Sequence, residues 1–178
     1  KVEDISRSDA GAINLSETTE CINHIIDQSK LNNVKSICFV TGVPGSGKTL
    51  AGLNIAIERH NIDKGEHAVY LSGNGPLVDV LREALARDEA HRSRISGKTM
   101  SQKESHRKVK SFVQNIHHFR DDALKSTVAP SEKVVIFDEA QRAWTAAKAS
   151  DFMKKKKNNP DFNMSEPEFL ISVMDRHQ

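Results

Sequence analysis

The sequence predicts an α/β layered fold with a mainly parallel sheet. Three observations carry that expectation. Short apolar runs alternate with stretches of helical periodicity along the whole chain. One run, Ile37-Cys38-Phe39-Val40, leads directly into a Gly-x-x-x-x-Gly-Lys-Thr loop at 42–49. Another, Val134-Val135-Ile136-Phe137, leads directly into Asp138-Glu139.

Taken in order, residues 1–15 are mixed and polar and read as a loosely attached leader. Ser16 can cap a helix over 16–30 that puts Ile22, Ile25 and Ile26 on one face. Strand one is expected at 36–40, with Cys38 as a buried thiol. The helix after the glycine loop spaces Leu50, Leu53 and Ile57 as one buried stripe, and Asn61 and Gly65 mark its end. Strand two follows at 67–71, a turn at 72–76 and an amphipathic helix at 77–87.

Residues 88–110 change character. Arg92, Arg94, Lys98, Lys103, Arg107, Lys108 and Lys110 punctuate a Ser-rich, weakly apolar stretch that reads as mobile or insertion-like. Val109, Phe112, Val113, Ile116 and Phe119 then have helical spacing, expected to run to about 124. Pro130 breaks the chain, and 133–137 reads as a buried strand. A helix is expected over 140–149, and a basic, turn-rich loop over 154–160. Ser165-Glu166-Pro167-Glu168 is a helix start, with Ser165 as cap and Glu168 closing the capping box. There is no internal repeat.

A chain of 178 residues suits one domain with a real core. Its net charge of +2 creates no global field that demands nucleic acid or membrane. No apolar run approaches a membrane span and no signal-peptide pattern is present. Two cysteines, Cys21 and Cys38, fit a reduced, cytoplasmic protein. The start at Lys1, without methionine, suggests an excised or processed piece of something longer.

The chemistry begins at the glycine loop, a Walker A phosphate loop by pattern. Gly42, Val43, Pro44, Gly45, Ser46, Gly47, Lys48 and Thr49 form it, and its glycines let successive N–H groups converge on a phosphate. A helix N-terminus beginning near Gly47 adds favourable dipole. Lys48 would bridge the β- and γ-phosphates of ATP, and the Thr49 hydroxyl would bind Mg²⁺. The plainer alternative is a turn between strand and helix with a surface lysine. Asp138, at the carboxyl end of a buried strand, would hold Mg²⁺ through water, and Glu139 would act as base on the attacking water. The plainer alternative there is a helix cap with an acidic first turn.

Asp138-Glu139-Ala140-Gln141-Arg142 resembles motif II of superfamily 1 helicases. With residues 41–49, Ser72-Gly73-Asn74-Gly75-Pro76-Leu77 and Asn115-Ile116-His117-His118-Phe119-Arg120, it is similar to the schlafen group 3-like DNA/RNA helicase domain family over about 30–178. That resemblance implies a bacterial P-loop NTPase of RecA-like, three-layer fold. The leader and helix at 1–30 would precede a partial RecA-like domain at 31–178 carrying a basic insertion at about 88–110. Ser72, Gly73 and Asn74 would then touch single-stranded DNA or RNA, as would His117 and His118, and Gln141 would couple the γ-phosphate to that strand. Turn chemistry alone also accounts for 72–76, and His117 and His118 also read as a surface pair beside a core Phe119.

Family members continue into another strand and a second RecA-like domain that supplies an arginine finger. This sequence is expected to stop before the strand after Walker B, leaving a central sheet position unfilled. An arginine finger is worth ~10³–10⁵ in rate, so the isolated chain is expected to turn over below ~1 s⁻¹. The basic runs at 92–110 and 154–157 read more readily as solvated loops than as a phosphate track, since aromatic stacking platforms are few. The leading functional expectation is an ATP-hydrolysing, nucleic-acid-dependent, helicase-like domain. The alternative is a nucleotide-controlled signalling or defence switch that unwinds nothing.

Overall fold

A computed structural model describes residues 9–60, 67–97 and 100–177. Three parallel strands form one sheet in the order β2-β1-β3, with β1 at Ala68–Ser72, β2 at Val113–Asn115 and β3 at Val134–Asp138. Tyr70 pairs with Val113 on one side and Ile136 on the other, so the register aligns Asn115, Ser72 and Asp138 at the carboxyl edge. The helices are α1 (Asp9–Asn32), α2 (Lys48–Arg59), α3 (Gly75–Ile95), α4 (Gln102–Phe112), α5 (Ile116–Ala123), α6 (Ala146–Lys157) and α7 (Glu166–Met174).

Strand alternation divides the core in two. On one face, Tyr70, Val113 and Ile136 pack against Leu53 and Ala56 of α2, Val78 and Leu85 of α3, and Val109 and Phe112 of α4. On the other, Val69, Leu71, Val135 and Phe137 meet Ile116 and Phe119 of α5, Met153 of α6, and Phe169, Leu170 and Val173 of α7. Helices thus cover both faces, the layering that buried parallel strands require. α1 lies against α2 through Arg59, whose guanidinium donates to both Asp27 carboxylate oxygens and to Asn23 Oδ1.

Several expectations from the sequence are corrected. Residues 34–43 form no strand. β3 pairs with β1 alone among the described residues, so the apolar run beside the glycine loop has no ladder to join. Phe39 is 87 % exposed, Ile37 is 62 % exposed, and Cys38 is exposed rather than buried. α1 already begins at Asp9, so Ser16 lies inside a helix instead of capping one, and residues 9–15 of the expected leader are helical. Residues 1–8 lie outside the described residues, as do Asn61, Gly65 and Lys98.

The stretch expected to be insertion-like is largely helical. α3 runs on to Ile95, and α4 opens with a capping box in which Ser101 and Glu104 satisfy each other's backbone N–H. A Lys108–Glu89 ion pair and a His106 Nε2 contact to Glu83 Oε2 at 3.2 Å join the two helices. The helical run expected over 109–124 is split by β2. The Val113 carbonyl accepts from Arg82 Nε at 2.8 Å, and the Asn115 side chain accepts from the His117 N–H to start α5 afresh. Past β3, a single 3₁₀ turn at Ala140–Arg142 replaces the expected helix start. Residues 154–157 are not a loop but the last turn of α6, where lysines complement the helix dipole and Asn158 closes the helix at φ 51°. The capping box at Ser165 and Glu168 forms as expected.

Candidate functional site

The glycine loop sits where α2 starts. Gly45 and Gly47 have φ of 81° and 86°, backbone that L side chains rarely adopt, which explains the glycines there. A Cβ on Gly42 would stand 2.7 Å from Ser46 Oγ, so the loop closes tightly on itself at that point. Gly47 leads into Lys48 without a side-chain cap, leaving first-turn N–H groups of α2 available to an anion. Lys48 Nζ lies back on the loop, donating to the carbonyls of Gly42 at 2.7 Å and Val43 at 2.9 Å. Val43, Pro44 and Ser46 are exposed around it.

Asp138 faces this loop because of strand alternation. It shares the Ile136 side of β3, the side covered by α2. Thr49 Oγ1 donates to Asp138 Oδ1 at 3.1 Å and reaches Oδ2 at 3.3 Å, joining residues 89 apart in sequence. Gly52 makes this closeness possible. A Cβ there would meet Ile136 Cγ2 at 2.9 Å and the Tyr70 ring at 3.7 Å, so only glycine lets α2 press onto the sheet. Tyr70 adds a contact that sequence reasoning missed: its hydroxyl donates to Asp138 Oδ2 at 2.5 Å. Burial, then the Asp138 hydrogen bond and the charges of Asp138 and Glu139, hold the phenol protonated far above its usual range. An aromatic in a strand reads as core. Only the register, which sets Tyr70 beside Ile136, reveals its reach to Asp138.

Glu139 follows β3 in left-handed backbone, φ 55° and ψ 36°, unusual for a residue with a long side chain. Its Oε2 accepts from Gln141 Nε2 at 2.5 Å and lies 3.4 Å from Arg142 Nε. The candidate base, Gln141 and Arg142 thus form one small polar group at the sheet edge. Such conformational outliers gather at functional sites, where surrounding structure holds them.

The residues singled out for nucleic-acid contact divide. The loops after β1 and β2 are adjacent, since Ser72 pairs with Asn115. Gly73, Asn74 and His118 are exposed there. Ser72 is buried, its Oγ accepting from the Asn74 N–H, and Asn74 caps α3 by accepting from the Leu77 N–H. His117 turns inward, its ring 4.5 Å from that of Trp144 and its Nδ1 3.1 Å from Glu166 Oε1. A cleft of about 450 Å³ includes His118, Arg82 and Lys110 but no residue of the glycine loop.

Hydroxyl and carboxylate oxygens at Thr49 and Asp138 make a hard donor pair that suits Mg²⁺, a cation that keeps several waters and takes few protein ligands. No described cluster of three or more His, Cys, Asp or Glu suits a metal held by protein alone. Among the described residues no helix is long and apolar enough to cross a membrane.

Fold and site together define an α/β protein whose glycine loop abuts an acidic residue at the carboxyl edge of a parallel sheet. The sequence profile of the schlafen group 3 DNA/RNA helicase domain matches residues 35–178, and the chain belongs to that family. Membership implies a helicase-like function, with nucleotide and nucleic-acid interaction in general. No curated protein and no solved structure gave a significant match.

Proposed function

We propose that this chain binds ATP with Mg²⁺ at residues 42–49 and hydrolyses it within a RecA-like, helicase-like domain. The observation that carries the reading is the Thr49–Asp138 hydrogen bond, which brings the loop threonine and the strand-end aspartate together. Main-chain N–H groups of the loop and of α2 take the phosphates. Lys48, which now satisfies the Gly42 and Val43 carbonyls, exchanges them for β- and γ-phosphate oxygens. Thr49 and Asp138 would hold Mg²⁺, which when bound neutralises charge building on those phosphates. Glu139 draws the proton from the attacking water, and Gln141, already on its carboxylate, orients that water. Gly73, Asn74 and His118 offer the exposed edge along which single-stranded DNA or RNA would pass.

Steady-state ATPase assays of the purified chain, with and without single-stranded DNA or RNA, test this. The expected result is Mg²⁺-dependent turnover that rises when one of the polymers is added and disappears in Lys48→Ala. Turnover that neither polymer changes would favour a nucleotide-controlled switch over helicase-like work.

A further inference from the structure

The turn that carries Glu139 and Gln141 has little to hold it in place. Ala140, Gln141 and Arg142 are exposed, the turn buries no side chain, and Glu139 is in left-handed backbone. Its internal backbone bonds are Arg142 N–H to the Glu139 carbonyl at 2.8 Å and Ala143 N–H to the Ala140 carbonyl at 3.1 Å, beside the exposed Glu139–Gln141 and Glu139–Arg142 side-chain contacts. β3 fixes its upstream end. Its downstream end is fixed by something the sequence did not disclose.

Two residues past the turn, Trp144 exchanges both backbone groups with Glu166 at the start of α7. Trp144 N–H donates to Glu166 Oε2 at 2.8 Å, and Glu166 N–H donates to the Trp144 carbonyl at 3.1 Å. Glu166 is 3 % exposed, so this carboxylate needs its partners. Its other oxygen, Oε1, faces His117 Nδ1 at 3.1 Å and Arg120 Nη1 at 3.9 Å, both from α5. These three atoms are buried and close, yet none makes a well-aligned hydrogen bond. The Trp144 ring is wedged between His117 and Phe152, with centroids at 4.5 and 5.2 Å, and Lys148 Nζ lies 4.7 Å from it. Asp121, which accepts from Arg120, is tied in turn to Lys157 of α6.

We propose that Glu166 and His117 are positioning residues that clamp Trp144 and thereby set the Glu139–Gln141 turn for hydrolysis. The inference rests on the reading of Glu139 and Gln141 as hydrolytic groups. It gives His117 a place inside the protein and leaves His118 as the exposed histidine of the pair. A carboxylate that binds the Trp144 N–H and faces an imidazole at once ties α5 and α7 to one short turn, and the Trp144 ring adds α6 through Phe152. Loosening it frees the turn without unpairing the sheet.

The test uses His117→Ala and Glu166→Gln in the whole chain, read by amide hydrogen exchange and by ATPase kinetics. Exchange of the Arg142, Ala143 and Trp144 amides is expected to quicken about tenfold in both variants, while β1 and β3 keep their protection. The kcat for ATP is expected to fall about fivefold or more with KM held within about twofold, the pattern of a misplaced group rather than lost binding. Unchanged exchange at the turn in folded variants would overturn the proposal, as would loosening shared equally by the strands. So would a rise in KM with kcat intact. Should Glu166→Gln fail to fold, His117→Ala decides, because His117 is partly exposed and its loss removes no backbone contact. If the wild-type chain shows no turnover, the exchange measurement still judges the clamp, and that silence counts against the proposed function alone.

Discussion

The only tyrosine of the chain donates its phenolic hydrogen to the acidic residue at the end of the neighbouring strand. Tyr70 Oη lies 2.5 Å from Asp138 Oδ2, while Thr49 Oγ1 holds Oδ1 of the same carboxylate at 3.1 Å. The carboxylate is therefore aimed from two sides. A ligand that recruits Thr49 leaves Tyr70 as the remaining restraint.

Tyr70→Phe keeps the ring and removes that restraint. A hydrogen bond to a charged group is worth about 1.5–3 kcal/mol net, so the thermal midpoint is expected to fall measurably. The Mg²⁺ concentration for half-maximal ATPase activity is expected to rise, with less change in KM for ATP. Mg²⁺ titrations of the two proteins check this, and identical curves would remove Tyr70 from the site.

Burial of the phenol, together with this bond, has a pH signature. The folded phenol ionises far above its ordinary value of 10.0, so its stabilisation is complete below pH 10 and declines as pH rises beyond it. An alkaline titration followed by tyrosinate absorbance is expected to show no ionisation until the fold itself is lost. A smooth transition near pH 10 in the folded protein would contradict the buried bond.

Glu166 has the opposite sign. Burial alone would raise its carboxyl, but the His117 contact, the Trp144 N–H and the charges of His117 and Arg120 outweigh it and hold it below 4.5. Its contribution is present above pH 4.5 and is lost as pH falls through the lower folded value. Acid unfolding of Glu166→Gln is expected to depend less steeply on pH below 4.5 than that of the wild type.

Gly52 is expected to tolerate no branched side chain. Valine would drive Cβ into Ile136 Cγ2 and crowd the Tyr70 ring, and overpacking of this kind costs about 1–3 kcal/mol. Thermal unfolding of Gly52→Val is expected to show that loss, and nucleotide affinity is expected to weaken because α2 carries Lys48 and Thr49. A neutral substitution would mean that α2 is not pressed onto β1 and β3.

Glu139→Gly separates strain from chemistry. Glycine accepts φ 55° freely, which relieves about 1 kcal/mol and offsets its greater unfolded entropy. The thermal midpoint is expected to hold or rise while ATP turnover falls about 10²-fold or more, the usual worth of a general base. Retained turnover would exclude Glu139 as the base.

Much of the site was legible in the sequence because its parts are local. A glycine loop entering a helix, and an acidic pair ending an apolar run, are patterns a few residues long. The capping boxes at Ser101 and Ser165 share that property, although only the second was anticipated. What depended on distant partners was not legible. The run 36–40 has strand composition, but composition supplies no ladder, and with β3 paired to β1 alone among the described residues Phe39 stays in solvent. β2 is three residues long and sits inside a stretch whose apolar spacing also fits a helix. Its strand character comes from Tyr70, more than forty positions earlier. Tyr70–Asp138 and Trp144–Glu166 are likewise set by register and helix packing, which no spacing along the chain encodes.

The most direct measurement of the central claim is equilibrium binding of a fluorescent ATP analogue to the purified chain, with and without Mg²⁺. The expected result is saturable binding that Mg²⁺ strengthens, that Lys48→Ala abolishes, and whose Mg²⁺ dependence vanishes in Asp138→Asn. Binding that is absent in the wild type, or that survives unchanged in both variants, would contradict a nucleotide site built on Thr49 and Asp138.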